Sequence, residues 1–422
     1  MKHATLLLFF AGMLPAAFRA SVVKVDITPK TPKWLMGYGA RQNTAVHDPI
    51  FHRIVAMDDG RTRMLLVSTD VCVFSPTVYD DAARRIQKET GVTPANFLWT
   101  VTHTHSAPEV GPPGIYTVLL KGRSDHAVDT EYTEQIVGML VQGAKDALAK
   151  LEPARVAIGT GMAMANINRR ARDVDGKISL GLNPDGPVDR QIGLIRLERP
   201  DGSPIVLIAN YAMHGTVLSG RWMEISGDAQ GIVAGYVEQK LGAPMLYVNG
   251  AAGNIAPIYS VYNDPKSGHL TQFNVLLGDK ILAANKVLGA GTAEVTLWSG
   301  EKIVETPRKP GLDWVDDLAS YNRMSSNGTP LVRLPIRFWK INDLAIWSAP
   351  VEMFCEISMT VRNQSPFANT FYFGYTNGWI GYLPTKAGFA EGGYEPATSV
   401  FSDQVERDVT EGVIGYLQSI PR

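Results

Sequence analysis

The spacing of apolar positions divides the chain into alternating strands and helices. The apolar, β-branched run at 65–73 predicts a buried strand, and a helix is predicted over 76–90, with Ser75 as its N-cap and Gly91 as its stop. A further apolar strand is predicted at 97–102. These segments form a strand-helix-strand unit, and open α/β sheets place their ligands at the carboxyl ends of such strands.

A second unit of the same kind lies further along the chain. Strands are predicted at 205–213 and 245–248, with a helix over 228–241 between them that ends at Gly242. We find no internal repeat in the sequence. The pattern therefore predicts an α/β fold and one large domain.

Between the two units, residues 130–150 show helical spacing of apolar positions. This segment predicts a long surface helix that packs Ile136, Leu140 and Ala144 inward. Loops are expected where Pro, Gly, Asn and Asp cluster, at residues 183–187, 262–268 and 306–330.

The first twenty residues have the pattern of a secretory signal peptide. Lys2 precedes a short apolar stretch at 5–14, and small residues that include Ala20 follow it. We expect cleavage near Ala20, a mature domain spanning 21–422, and a periplasmic or secreted location. No later stretch reaches about eighteen apolar residues, so no transmembrane segment is expected and the mature protein should be soluble.

Composition excludes some classes of protein. The chain is 45% apolar and 19% charged, and its 40 basic and 41 acidic residues are interspersed, which argues against a nucleic-acid partner. Cys72 and Cys355 are the only cysteines, so the chain is not a disulfide scaffold. They are either two buried apolar thiols or a pair formed in an oxidising compartment. Sequence does not define the oligomeric state.

Two of the eight histidines, His103 and His105, lie where the first unit's second strand ends. Alternate strand residues share a face, so both imidazoles could serve one centre. His214 ends the first strand of the second unit. Three neutral imidazoles at strand ends are suited to zinc, and Glu352, after a strand predicted at 344–348, is the best-placed acid. Alternatively, the histidine pair is hydrogen-bonded at a sheet rim and Glu352 is solvated.

The chain resembles the neutral ceramidase family. The resemblance rests on several separated motifs that occur in the same order as in that family. The motif at 102–108 is the most specific of them. The matching segments are Val25-Asp26-Ile27-Thr28-Pro29, Met36-Gly37-Tyr38, Thr102-His103-Thr104-His105-Ser106-Ala107-Pro108, Asn168-Arg169-Arg170, His214-Gly215-Thr216, Tyr382-Leu383-Pro384-Thr385 and Tyr394-Glu395. The resemblance implies the fold of that family's catalytic domain, with a mixed β-sheet core and flanking helices.

The resemblance also implies a set of site residues. Zinc would be held by His103, His214, Glu352 and Tyr382, while His105 and Tyr394 would lie close to the reacting carbonyl and Arg169 would face the substrate. From the residues alone, Tyr382 is a structural aromatic and Arg169 is a partner for an acid or a main-chain carbonyl.

Some positions depart from the family pattern. Ala256 stands where the family has a serine, so a serine-dependent step is excluded there, and Asn254 replaces an aspartate that is a potential base or a brace for the loop. Without the family resemblance, the Gly-rich turn at 249–257 could bind a phosphate, but this signal is weak because the lysine of a P-loop is missing. Val351 replaces a glycine before Glu352, which leaves Glu356 as a second candidate acid. The chain also ends soon after Tyr394, so we expect it to lack the family's β-rich C-terminal domain.

We therefore expect a secreted, zinc-dependent hydrolase of the neutral ceramidase type, acting in sphingolipid or lipid metabolism. A metal-activated water would attack the amide of an N-acyl, sphingolipid-like substrate, with His105 as general base and with Tyr394 and Arg169 stabilising the oxyanion. One alternative is the same site cleaving an ester, lactone or glycosidic bond. Another is a non-catalytic protein that binds carbohydrate or lipid. A barrel amidohydrolase is disfavoured, because eight strand-helix units are not found.

Overall fold

The computed structural model describes residues 18–123, 125–260 and 269–421. Strands β1–β21 and helices α1–α10 are numbered along these described parts of the chain. The helices are α1 (Pro76–Thr90), α2 (Tyr116–Leu119), α3 (Thr130–Ala149), α4 (Asp228–Leu241), α5 (His269–Phe273), α6 (Asp279–Val287), α7 (Cys355–Gln364), α8 (Lys386–Glu391), α9 (Tyr394–Ala397) and α10 (Val405–Ser419). Short 3-10 turns occupy Pro94–Asn96 and Asp316–Tyr321, and Asn274–Gly278 is π-helical.

Three larger sheets carry most of the strands. Sheet 1 has the order β5-β4-β3-β1-β6 and comprises β1 (Arg19–Asp26), β3 (Phe51–Asp58), β4 (Arg63–Thr69), β5 (Phe97–Val101) and β6 (Glu152–Pro153). Sheet 2 has the order β13-β11-β10-β7 and comprises β7 (Arg155–Met162), β10 (Gln191–Glu198), β11 (Pro204–Tyr211) and β13 (Met245–Asn249). Sheet 3 has the order β15-β17-β18-β20 and comprises β15 (Leu297–Pro307), β17 (Pro330–Ile341), β18 (Leu344–Ser348) and β20 (Asn369–Phe373), with β16 (Asn322–Met324) beside β17.

Three small sheets complete the fold. β14 (Ile255–Pro257), β8 (Asn166–Arg172) and β9 (Ile178–Asn183) are antiparallel, β2 (Ala45–Val46) pairs with β12 (Glu224–Ile225), and β19 (Glu352–Met353) pairs in parallel with β21 (Tyr382–Leu383).

Each large sheet contains one parallel pair, and a helix connects its two strands. The three units are β4-α1-β5, β11-α4-β13 and β18-α7-β20, while the other pairings in these sheets are antiparallel. Parallel strands require such a crossover, and they expose the loops after both strands at the same sheet edge. The mixed β-sheet core with flanking helices is therefore confirmed, and a third unit adds to the two that the sequence predicted.

The inner faces of the three sheets share one apolar core. Leu66 of sheet 1, Val248 of sheet 2 and Ile346 of sheet 3 all lie in it and are almost fully buried. Helices cover the outer faces, with α1 and α3 on sheet 1, α4 and α6 on sheet 2, and α7 and α10 on sheet 3. This arrangement holds the three parallel pairs in fixed positions around one centre.

The elements with clear end signals match their predicted limits. Helix α1 has the predicted Ser75 cap, and Gly91 ends it in the left-handed conformation at φ 76°. Helix α4 and strand β18 also have the expected bounds, and α3 ends one residue earlier than predicted, with Ile136, Leu140 and Ala144 buried. The predicted strands β4, β5 and β11 end earlier than expected, because the chain turns into the loops discussed below.

The loop predictions have mixed outcomes. Residues 306–330 are not a plain loop, because β15 continues to Pro307 and the segment also contains the 3-10 turn at Asp316–Tyr321 and strand β16. Residues 183–187 begin with the last residue of β9 and continue as a turn. The predicted loop at 262–268 lies outside the described residues, as do residues 1–17 of the predicted signal peptide.

The predicted cleavage position near Ala20 falls inside β1. Phe18 and Ala20 are buried, and Arg19 forms an ion pair with Asp58 of β3 at 2.7 Å. Cys72 and Cys355 are buried free thiols. No helix within the described ranges is both long and apolar enough to cross a lipid bilayer.

Candidate active site

One side chain from each large sheet meets at the carboxyl ends of the parallel strands. His103 follows β5, His214 follows β11, and Glu352 follows β18, so the three sheets each contribute one residue. One ligand atom from each residue lies within 4.8 Å of the other two, and all three side chains are buried. The structure thus brings together three of the four predicted metal ligands.

His105 reaches the same centre, although not by strand alternation. Strand β5 ends at Val101, and His103 has a left-handed backbone at φ 64°. The expectation that both histidines lie on one face of a strand is therefore wrong. The turn at His103 instead brings the Nε2 atoms of His103 and His105 to 3.3 Å. A positive φ is costly for a residue other than glycine and is often found at functional sites.

Two glycines permit these close approaches. A Cβ at Gly215 would overlap with the carbonyl oxygen of His103, since segment 103–105 runs alongside Gly215, whose carbonyl accepts a hydrogen bond from His105 N–H at 3.0 Å. A Cβ at Gly37, whose φ is 105°, would lie 2.5 Å from the ring of His105. Glycine at both positions therefore lets the histidine segments pack against their neighbours.

Backbone carbonyls set the tautomers of the two candidate histidine ligands. Nδ1 of His103 donates to the carbonyl oxygen of Cys72 at 2.9 Å, and Nδ1 of His214 donates to that of Ala252 at 2.7 Å. A proton on Nδ1 makes Nε2 the ligand atom of the neutral ring, and Nε2 is the atom that faces Glu352 in both residues. Metal-binding histidines are oriented in this way.

Two aromatic residues hold the Glu352 carboxylate. The indole N–H of Trp379 donates to Oε1 at 2.9 Å, and the hydroxyl of Tyr375 donates to Oε2 at 3.4 Å. Tyr375 also stacks on His103, with ring centroids 4.1 Å apart. Neither residue could be predicted from the sequence, since both act through contacts with other segments of the chain.

The electrostatics of the cluster favour a cation at its centre. Burial alone would raise the pKa of Glu352, but His103 and His214 hold the pKa well below its usual value. Burial would lower the pKa of His103, yet the neighbouring Cys72 and Glu352 raise the pKa to about 10. A buried carboxylate thus retains a proton on His103 as its counter-charge, and metal binding releases such protons.

The other two imidazoles are neutral. Burial, together with the charges of Arg169 and His103, lowers the pKa of His214 to about 3. Burial and the two neighbouring histidines lower the pKa of His105 well below its usual value. A neutral imidazole at His105 remains able to accept a proton.

Arg169 lies beside this cluster rather than at the surface. Its Nε donates to Glu395 at 2.9 Å, Nη2 to the Tyr382 hydroxyl at 3.1 Å and Nη1 to Nε2 of His214 at 2.9 Å. Tyr382 pairs in register with Glu352 across the β19-β21 ladder. Arg169 and Tyr382 therefore lie side by side next to His214, and the hydroxyl of Tyr382 is bonded to Arg169.

The loop that carries Ala256 is braced rather than reactive. Asn254 Nδ2 donates to Glu356 at 2.7 Å, and Asn254 Oδ1 accepts from the backbone N–H of Cys355 at 3.0 Å. Glu356 is thus engaged by Asn254, and the carboxylate that meets the histidines is that of Glu352. Ala256 is buried in β14 and presents no hydroxyl.

A pocket of about 350 Å³ opens next to the cluster. Its walls combine aromatic, basic, hydroxyl and apolar groups, and they comprise Gly37, Tyr38, His105, Arg123, Arg169, Leu180, Gly181, Leu182, Thr216, Ser260, Tyr382 and Tyr394. Leu180 and Leu182, both on β9, are 53% and 50% exposed. No sequence motif marks Arg123, Leu180, Leu182 or Ser260, because only the fold places them at this pocket.

Four buried or half-buried aspartates stabilise the surrounding backbone or pair with arginines. Asp228 accepts backbone N–H bonds from Val217 and Leu218, and Asp48 accepts one from Gly227. Asp70 pairs with Arg53 at 2.8 Å, and Asp189 pairs with Arg362 at 2.7 Å.

Comparison with known proteins assigns the family. A family model described as neutral/alkaline non-lysosomal ceramidase, N-terminal, matches residues 18–258, which is more than half of the chain. The chain belongs to this family. The match includes His103, His105, Arg169 and His214, whereas Glu352, Tyr382 and Tyr394 lie beyond it and are brought to the site by the fold.

Curated members of the family match only part of this chain. Neutral ceramidase B of Dictyostelium discoideum is 28% identical over 51% of this chain and 30% of its own length. The neutral ceramidase of Mycobacterium tuberculosis is 30% identical over 49% of this chain and 33% of its own length. The matched region therefore spans about a third of these relatives.

The fold extends the similarity over nearly the whole chain. The crystal structure of neutral ceramidase from Pseudomonas aeruginosa matches with a TM-score of 0.77 and 19% identity, covering 97% of this chain and 76% of that one. The two proteins therefore share the same α/β fold.

The donor set suits a divalent metal ion. Once metal binding has released the proton of His103, two imidazoles whose Nε2 atoms face one carboxylate are the ligands of several catalytic zinc sites, which keep a further position open. The Nδ1 bonds to backbone carbonyls and the bonds from Trp379 and Tyr375 to Glu352 supply the outer contacts that such ligands need.

Proposed function

We propose that the protein is an exported, zinc-dependent hydrolase that cleaves the amide bond of an N-acyl, sphingolipid-like substrate. The observation that carries this proposal is the His103, His214 and Glu352 donor set beside a pocket with an apolar rim. When bound, zinc would supply Lewis acidity that polarises the amide carbonyl and lowers the pKa of a water molecule. His103, His214 and Glu352 would hold the ion, with Tyr382 as the fourth ligand.

The chain's own residues supply proton transfer. Nε2 of His105 lies 3.3 Å from Nε2 of His103, and it is the acceptor atom in the neutral tautomer that carries its proton on Nδ1. We assign to this atom the acceptance of the proton from the attacking water and its return to the leaving nitrogen. Because Gly37 has no side chain, there is room for the His105 ring at this position.

Arg169 and Tyr394 supply charge stabilisation at the carbonyl. Arg169 is fixed by Glu395 behind it, so its guanidinium is oriented before substrate binds. Donors that are held in place in this way stabilise developing negative charge without reorganising. Tyr394 lines the same pocket, and its ring lies against Tyr382 with centroids 5.6 Å apart.

Leu180 and Leu182 favour an apolar substrate. They lie two residues apart on β9 and thus on the same face of the strand, and both line the pocket while remaining half-exposed. Burial of apolar surface is worth about 25 cal/mol per Å². An acyl chain lying across them would gain this free energy and direct its amide toward Arg169.

The test is release of fatty acid from an N-acyl sphingosine by the purified protein, with zinc and again after chelation. We expect turnover that chelation abolishes and zinc restores. An ester, lactone and glycoside panel is run in parallel, because Ala256 replaces the family serine. Turnover of one of those bonds and of no amide would contradict the amide assignment, and full activity after chelation would contradict the role of zinc.

A further inference from the structure

The pocket contains one cation that no carboxylate neutralises. Arg123 is half-buried in the pocket wall, and among the described residues no Asp or Glu lies within ion-pair distance of it. Its Nη1 instead donates to the hydroxyl of Tyr394 at 3.4 Å, and the guanidinium lies over that ring, 5.7 Å from the centroid. Contacts with a phenol leave its positive charge available.

Within the described part of the chain, Arg41 also lacks a carboxylate partner, but it lies behind Tyr38, donates to the backbone carbonyls of Trp222 and His105, and does not line the pocket. The other charges near the pocket are matched. Arg169 and Arg170 both pair with Glu395, at 2.9 and 2.7 Å, and Glu352 is met by His103 and His214. No acidic side chain is among the residues that line the pocket. Arg123 therefore gives the pocket a net positive charge, which attracts anions.

Arg123 belongs to the same wall as the candidate catalytic residues. Its partner Tyr394 packs against Tyr382, and the Tyr382 hydroxyl accepts a hydrogen bond from Arg169 at 3.1 Å, beside His214. The side chains of Tyr394 and Tyr382 thus lie between an anion bound at Arg123 and the guanidinium of Arg169. One extended molecule can place an amide at Arg169 and a charged group at Arg123.

We propose that the substrate carries an anionic group, a carboxylate or a phosphate, on the amine-derived part of the N-acyl compound, and that Arg123 binds this group. The inference rests on the proposed amide hydrolysis and specifies its substrate class. A guanidinium binds both kinds of oxyanion through charge-assisted hydrogen bonds, so the two share one chemistry. The acyl chain would lie across Leu180 and Leu182.

Matched substrates test the proposal. N-dodecanoyl-4-aminobutyrate is compared with its neutral primary amide, and N-dodecanoyl-O-phosphoethanolamine with N-dodecanoylethanolamine. We expect kcat/KM to be about tenfold or more higher for the anionic member of at least one pair. A charge-assisted hydrogen bond to Arg123 would contribute a difference of this size. The pair with the larger ratio distinguishes a carboxylate from a phosphate.

Two variants assign the preference to Arg123. Arg123→Gln is expected to reduce the ratio to about one, and Arg123→Lys to restore part of it. Lys121→Gln is the matched control, because it removes the same charge from the same loop at an exposed position outside the pocket lining. Equal ratios in the natural protein and Arg123→Gln would overturn the proposal while leaving amide hydrolysis intact.

A binding experiment tests the anion site at Arg123 even if no N-acyl compound is cleaved and the proposed function fails. Decyl phosphate and decanol are titrated into the zinc-loaded and the chelated protein by calorimetry. We expect the phosphate to bind more tightly in both forms and Arg123→Gln, but not Lys121→Gln, to weaken it tenfold or more. Equal binding to the natural protein and Arg123→Gln would reject the site.

Discussion

His105 lies where it does because position 37 carries no side chain. An added Cβ would lie 2.5 Å from the imidazole, and the positive φ of Gly37 would also be strained for alanine. We therefore expect Gly37→Ala to displace His105 and to lower kcat by about tenfold or more, the size of a typical general-base contribution. The metal content should stay unchanged, because His103 and His214 are not touched.

Rates and metal content are measured together for this variant. Gly39→Ala is the control, since a Cβ there has no neighbour within 4 Å. A Gly37→Ala protein with normal kcat would show that the position of His105 does not govern the reaction.

The candidate ligands differ from His105 in what their removal should do. Loss of His103 or His214 leaves Glu352 with one imidazole partner, so His103→Ala and His214→Ala should each lose bound zinc and activity. His105→Ala should keep the zinc and lose rate. Zinc per chain is measured by mass spectrometry of the metal after gel filtration. Full occupancy in His103→Ala would refute the ligand set.

Part of the site could be predicted at the level of single residues. His103, His214 and Glu352 follow apolar runs, and strand ends at one sheet edge meet. Tyr382 and Arg169 required the family motifs. Trp379, Tyr375 and Arg123 could not be found, because each acts through a partner distant in sequence, as Trp379 does through Glu352.

At the scale of elements, residues that mark the ends of helices and strands explain which strand-helix-strand units could be predicted from the sequence. Helix α1 has Ser75 and Gly91 at its ends and was predicted to the residue. Helix α7 begins after Phe354 and ends before Ser365, and no side chain caps its N-terminus. Strand β18 is therefore predicted from the sequence, whereas the helix α7 and the strand β20 that follow it are not.

Strand β1 limits where a leader can be removed. A cut after Ala20 would remove Phe18, which is buried, and Arg19, which pairs with Asp58. Loss of a buried Phe side chain costs about 3–5 kcal/mol of stability in the truncation to alanine. For the export that we propose, we therefore expect the mature chain to begin at or before Phe18.

Intact mass measurement of the exported protein locates this end. A shortened chain beginning at Ser21, expressed directly, serves as the comparison and should unfold at lower urea. An exported protein that begins at Ser21 with undiminished stability would contradict the expectation.

At the scale of the whole molecule, a buried histidine links the fold to pH. His52 Nε2 donates to the carbonyl of Ile136 at 3.0 Å, and its Nδ1 lies 2.7 Å from the hydroxyl of Thr69, which accepts from the Trp99 indole. The Thr69 hydroxyl therefore donates to Nδ1. A second ring proton, on Nδ1, would displace the Thr69 hydroxyl proton from this bond, and burial lowers the pKa of His52 to about 4.

Because the folded pKa lies below the unfolded value of about 6.5, stability is greatest above that pH and falls as pH drops toward the folded pKa. We expect His52 to remove about 2 kcal/mol of unfolding free energy between pH 7 and pH 5, by linkage. Urea unfolding of the natural protein and His52→Gln measures the difference. The variant should be less stable at pH 7 but less sensitive to acid, and equal slopes would contradict the assignment.

The arrangement of the sheets could be predicted least. Sequence patterns locate strands and helices, but the shared core of Leu66, Val248 and Ile346 depends on contacts between segments far apart in the chain. Packing of this kind has no local signature, and the structural similarity to a solved ceramidase supplied independent support for it.

The division of the centre among three sheets has a consequence for the order in which the protein is made. A ribosome that has reached residue 260 has already produced His103 and His214, yet Glu352, Tyr375 and Trp379 are still to come. The nascent chain thus carries two of the three clustered donors, and the pocket wall formed by Tyr382 and Tyr394 is completed only after sheet 3 has been made. Ion capture should therefore follow the docking of sheet 3.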